Sequence, residues 1–159
     1  MADMKPVPIP DFIEWCQETS SYEPANMKRS EKCHNLWQKR IPTTQIALEV
    51  GRGRGAVEVA IKRYIRIKRI YRLAEHYIGR IGRPVPITVL ADTRTKHVLE
   101  HWMNIEFLDD VQKHSMKEVL RVPNMGRKSY GRLVKACSYH GIELSQGQVC
   151  QTCGQDILP

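Results

Sequence analysis

The sequence predicts an all-α protein made of two helical regions joined by a short break. Three observations carry this. Ala60, Tyr64, Ile67, Tyr71, Ala74, Ile78 and Ile81 recur at alternating intervals of four and three, the period of one apolar helix face. No stretch over 87–144 alternates with the two-residue period of a half-buried strand. Between these regions Gly79, Gly82, Pro84 and Pro86 interrupt the helical pattern and mark a boundary. The expected organisation is an N-terminal segment over 1–34, a first domain with a long helix over 35–82 and a linker over 83–86. A bundle of short helices over 87–144 and a tail over 145–159 follow. In the N-terminal segment, Phe12, Ile13 and Trp15 suggest a short helix, and 22–26 reads as a turn.

Composition narrows the classes. Hydrophobic residues make up 42% of the 159, too many for a wholly disordered chain. No apolar run reaches the ~18 residues of a membrane span, so no membrane partner is expected. Prolines at 6, 8 and 10 interrupt the apolar residues of the amino terminus, which lacks a signal-peptide pattern. A soluble, cytoplasmic protein is expected. The five cysteines are odd in number and scattered, which argues against a disulfide framework. The formal charge of +8 favours a polyanion as partner, although charge alone also serves solubility.

The stretch TTQIALEVGRGRGAVEVAIKRY, residues 43–64, has helix-turn-helix spacing. A helix starting at Thr43 puts Ile46, Ala47 and Val50 on one face. Small Ala47 lets a second helix cross closely, and Gly51 sits where the turn needs a left-handed backbone. Val57 and Ile61 return to the core from the second helix. Its exposed side carries Arg52, Arg54, Glu58 and Lys62, and such a side can enter the major groove of double-stranded DNA. The other reading is an ordinary helical hairpin with a basic solvated face. The seam of 60–81 continues this second helix for about three heptads. Two uses are open to it: a homodimer, or packing against other helices of the same chain.

The segment 116–144 reads as a helix-hairpin-helix. Ser115 can cap a helix ending near Arg121, Pro123 and Asn124 turn the chain, and Gly126 permits close backbone approach. A second helix starts near Lys128 and runs to His140, with Gly141 just past its end. Unpaired N–H groups at its start, with Arg127 and Lys128, suit phosphate oxygens.

Here the chain resembles a known family. VPNMGRKS, preceded by NIEFLDDVQKHSMKEVL and followed by a helix ending in HGIEL, is similar to the C-terminal domain of the bacterial RNA polymerase alpha subunit. TRTKHVL stands where that family starts its arginine-bearing helix. The resemblance covers residues from about 86 to 144. It implies a compact bundle that enters A/T-rich minor grooves and contacts sigma factors and activators, in a bacterial or phage-infected cell. The family's groove arginine falls on Arg94, and its hairpin contacts fall on Asn124, Gly126, Lys128 and Ser129. An arginine inserted into a narrow minor groove meets enhanced negative potential. His97 departs from the family's usual asparagine, and Arg132 stands where an acidic residue is common. The alpha subunit's large assembly domain is not expected in this protein.

VCQTCG, residues 149–154, is a zinc-knuckle pattern in which Cys150 and Cys153 could hold one ion. Cys137 and His140, three apart on one helix, could complete a four-ligand site. Cys16, Cys33 and His34 compete for that part, and a flexible tail with two spare thiols is the plain alternative. No phosphate loop, GxSxG or HExxH stands out. A lysine–aspartate glycosylase pairing would need Lys135 with Asp156, which lies in the tail. The chain therefore reads as a non-enzymatic DNA-binding transcription regulator with a major-groove and a minor-groove element. The alternative is an interaction protein that docks on RNA polymerase, a sigma factor or an activator by mimicking the alpha C-terminal domain.

Overall fold

Capping residues set several of the helix boundaries. The computed structural model describes residues 8–145 and, in the tail, the backbone of Gln148–Val149 (β1) and Asp156–Ile157 (β2), which pair as a short antiparallel ladder. Asp11 opens α1 (Phe12–Thr19) by accepting the Glu14 N–H at 2.9 Å, which satisfies a donor the helix leaves orphaned. α2 (Pro24–Gln38) begins with proline, where no N–H is needed. α3 (Thr43–Val50) ends at Gly51, whose φ of 66° lets the Arg52 N–H reach the Ala47 carbonyl at 3.1 Å. α4 (Arg54–His76) is 23 residues long and finishes in a π-helical turn, Tyr77–Ile81.

The second half is a set of short helices. A 3-10 turn at Ile87–Val89 leads to α5 (Thr93–His97), which continues as a π-helical turn, Val98–Trp102. A second 3-10 turn, Leu108–Lys113, precedes α6 (Met116–Leu120) and α7 (Arg127–Ser138). Ser115 caps α6 as its sequence position suggests, accepting the Glu118 N–H at 3.2 Å. After α7 the Ile142 N–H bonds the Cys137 carbonyl at 3.0 Å and the Gly141 N–H bonds the Ser138 carbonyl at 3.1 Å, a Schellman closure. The described residues are therefore all-helical apart from that tail ladder. Among them no helix is long and apolar enough to cross a membrane.

Two cores hold these elements. The smaller joins α2, α3 and α4 through Cys33, Ile46, Val57 and Ile61. The larger joins α1 and the rest of α4 to everything from Val85 to Leu144. At its centre the Phe12 ring meets Tyr64 and Tyr71 edge-on, each at 5.5 Å, and Trp15 meets Tyr71 at 5.3 Å.

This arrangement corrects two expectations of organisation and bears on the use of the seam. Residues 83–86 are not a linker. Val85 is buried, its N–H donates to the Asp109 carboxylate at 2.7 Å, and Arg83 pairs with the same carboxylate. Gly79, Gly82 and Pro84 turn the chain at the surface, and it re-enters the core at Val85. Residues 8–34 are not a segment standing before the first domain, because Phe12, Trp15 and Met27 belong to the larger core. α2 begins at Pro24 because its inward positions are Met27, Ser30 and Cys33, a sparse, partly polar face that apolar periodicity does not register. The seam also finds its partner within the chain. Tyr64, Ile67, Tyr71 and Ala74 are buried in the larger core, so that stretch is not open to a second copy.

Candidate nucleic-acid interface

The turn after α3 and the first three turns of α4 form one basic face. Arg52, Arg54, Glu58 and Lys62 are all exposed, because Val57 and Ile61 turn the opposite side of α4 into the smaller core. Arg54 Nε lies 3.2 Å from Glu58 Oε1, a pair so open to solvent that it contributes little stability. Among the described residues no side chain pairs with Arg52 or Lys62. Between the two charged flanks the face is small and apolar: Gly55, Ala56 and Val59 are exposed, with Val59 at 55%.

A second basic face is built by α5 and α7. Asp92 caps α5, accepting the Arg94 N–H at 3.2 Å and the Thr95 hydroxyl at 3.1 Å. Its carboxylate also lies 3.5 Å from Arg132 on α7, which ties the two helices together. Arg94 extends from the start of α5, exposed and with no side-chain partner among the described residues. On α7, Lys128, Gly131, Arg132 and Lys135 follow helical spacing and form its outward side. Lys128 is unpartnered among the described residues, while Lys135 lies 4.0 Å from Glu18. The hairpin before α7 turns at Asn124, whose φ is 69°, and Gly126 is the N-cap, with Arg127 opening the helix. Asn124, Gly126 and Arg127 are exposed.

Ser129 does not belong to this face. Its side chain is buried, on the same side of α7 as Leu133, Ala136 and Cys137. A hydroxyl turned into the core cannot touch a ligand on the opposite side, so Ser129 is not a contact residue. Arg132 is a residue that sequence reasoning leaves outside the site, and its link to Asp92 places it between Arg94 and Lys128.

The proposed metal ligands divide. Cys150 and Cys153 lie outside the described residues. Cys137 is fully buried in the larger core, and burial raises its thiol pKa. His140 is also buried. Its Nδ1 has no hydrogen-bond partner among the described residues, and burial pushes its pKa down to about 4. Cys16 and Cys33 are free thiols buried in different cores. Burial pushes the Cys16 thiol up to about 12. No three His, Cys, Asp or Glu side chains among the described residues gather as a metal-binding group.

Sequence reasoning also misses Tyr22, Arg66 and Thr93. Arg66 on α4 donates to the Tyr22 hydroxyl at 2.8 Å and to Thr93 Oγ1 at 3.3 Å, bringing the α1–α2 turn, α4 and α5 to one place. These bonds span 44 and 27 residues of sequence, and no local pattern announces them. Compared with known proteins, the chain matches no family model, no curated protein and no solved structure.

Proposed function

We infer that the chain is a non-enzymatic double-stranded DNA-binding protein acting in transcription regulation. In this reading α3, the Gly51 turn and α4 act as a helix-turn-helix. The Gly51 turn and α4 present Arg52, Arg54 and Lys62 to the major groove, with Val59 and Ala56 available for a thymine methyl. α6, the Asn124 turn and α7 act as a helix-hairpin-helix that holds phosphate near Gly126, Arg127 and Lys128. Arg94 reaches into the adjacent minor groove. The observation that carries the reading is the pair of exposed basic faces whose key cations, Arg52, Lys62, Arg94 and Lys128, have no side-chain partners among the described residues. Cations left unpaired on two faces of a chain with net charge +8 suit a polyanion that spans both.

The test is selection of bound sequences from a random duplex pool at a stated salt concentration. Recovery of a defined site supports the reading, with Arg54→Ala costing ~1–3 kcal/mol on that site if Arg54 holds a guanine. Failure to retain any duplex contradicts it. Docking on RNA polymerase or a sigma factor then takes its place.

A further inference from the structure

A cleft lies between the α1–α2 turn, the start of α5, and α7. Ser21, Tyr22, Asp92, Thr93, Arg94 and Arg132 line it around about 300 Å³. Arg66 on α4 bonds two of these lining residues, Tyr22 and Thr93. Arg63, three residues earlier on α4, sits over the Tyr22 ring at 5.3 Å and holds that ring in place. Arg94 and Arg132 therefore line one polar cavity, and Arg66 borders it from α4 through Tyr22 and Thr93, against a single lining carboxylate, Asp92. That carboxylate is already engaged by the Arg94 N–H, the Thr95 hydroxyl and Arg132. Tyr22 and Thr93 occupy two of the five Arg66 donors, which leaves three for a ligand, while Arg94 continues from the rim of the cleft toward the minor groove assigned to it.

We propose that this cleft is a phosphate site, and that its ligand is a backbone phosphate of duplex DNA passing between the two basic faces. The chemistry favours phosphate. Convergent guanidinium forks and hydroxyl donors match a tetrahedral oxyanion, and the positive excess demands an anion. The position favours a backbone phosphate. Arg66 lies on the helix that carries Lys62 toward the first face, and Arg132 lies one helical turn from Lys128 in the second. The proposal rests on the DNA-binding reading, which it deepens by naming a third contact between the two grooves.

The experiment uses the full chain and a selected duplex long enough to span both faces, titrated across a salt series. Arg66→Gln is expected to lower the salt slope by about one while leaving the melting temperature unchanged, and Arg66→Lys is expected to keep the slope. Methylphosphonate substitution of successive phosphates is expected to find a position that weakens the wild type but not Arg66→Gln. Should Arg66→Gln melt early, Arg132→Gln gives the same readout from another element. Inorganic phosphate, at matched ionic strength, separates the two sources of the anion. If it raises the wild-type melting temperature, and Arg66→Gln abolishes that rise while leaving duplex binding as it was, the anion is free phosphate and the backbone assignment is overturned. An unchanged slope and unchanged melting in both glutamine variants overturn the cleft as a site while DNA binding stands. A wild type that retains no duplex overturns the DNA-binding reading itself.

Discussion

Arg132 on α7 lies 3.5 Å from Asp92, the residue that caps α5. One carboxylate thus finishes the start of the Arg94 helix and holds the helix that carries Lys128. Asp92→Ala is expected to cost about 1–2 kcal/mol, the usual range for removing an N-cap, and it also frees Arg132 from α5. Urea unfolding measures it. A loss under about 0.3 kcal/mol would show that the cap and the link are idle.

Gly131 sits in the interior of α7, on its outward side between Lys128 and Arg132. A Cβ added there meets nothing within 4 Å. Glycine inside an exposed helix is less stable than alanine by roughly 0.5–1 kcal/mol, so the fold has no use for it at this position. Gly131→Ala is expected to raise the melting temperature while weakening duplex binding, because a methyl obstructs close approach of a backbone. Thermal melting and duplex titration check both. Raised stability with unchanged affinity would mean that nothing approaches this face closely.

His140 predicts acid sensitivity. Its folded pKa of about 4 is below the ordinary 6.5, because burial disfavours the charged ring. The unfolded chain therefore binds a proton that the folded chain refuses between about pH 6.5 and 4. Stability is fully present above pH 6.5 and falls through that window, by up to about 3 kcal/mol. His140→Gln is expected to flatten this slope. Denaturant titrations at pH 7.5, 6 and 5 measure it, and parallel pH profiles for wild type and variant would contradict the assignment.

Tyr71 packs against Phe12 and Trp15 and donates its hydroxyl to the Pro10 carbonyl at 2.8 Å. Because this seam is filled within the chain, Tyr71→Ala is expected to cost about 3–5 kcal/mol with no dependence on protein concentration. Concentration-dependent melting would instead return the seam to a dimer.

Local rules make much of this fold legible. Gly51, Ser115 and Gly141 are readable because caps and left-handed turns are decided by neighbours a few residues away. The seam from Tyr64 to Ala74 is readable as a buried face, but its partner is not, since Phe12 and Trp15 lie about fifty residues earlier in the chain. Val85 is easily misread because prolines mark turns in cores and linkers alike. Ser129 enters the site only by resemblance. Its spacing to Leu133 and Ala136 already puts it on the core side of α7. Arg66 and Arg132 do not stand out among the chain's 25 lysines and arginines, because their roles depend on Tyr22, Thr93 and Asp92 meeting in space.

Arg94 and Lys128 have different duties on the same basic face, and one measurement separates them. Wild type, Arg94→Ala and Lys128→Ala are titrated against two duplexes that share a core site but differ in A-tract flanks, across a salt series. Lys128→Ala is expected to weaken both duplexes about equally and to lower the salt slope by about one, as removal of one phosphate-binding cation does. Arg94→Ala is expected to weaken the A-tract duplex most, because only a narrow minor groove concentrates the potential that rewards an inserted arginine. If Arg94→Ala binds the A-tract duplex as tightly as wild type, the minor-groove assignment is contradicted.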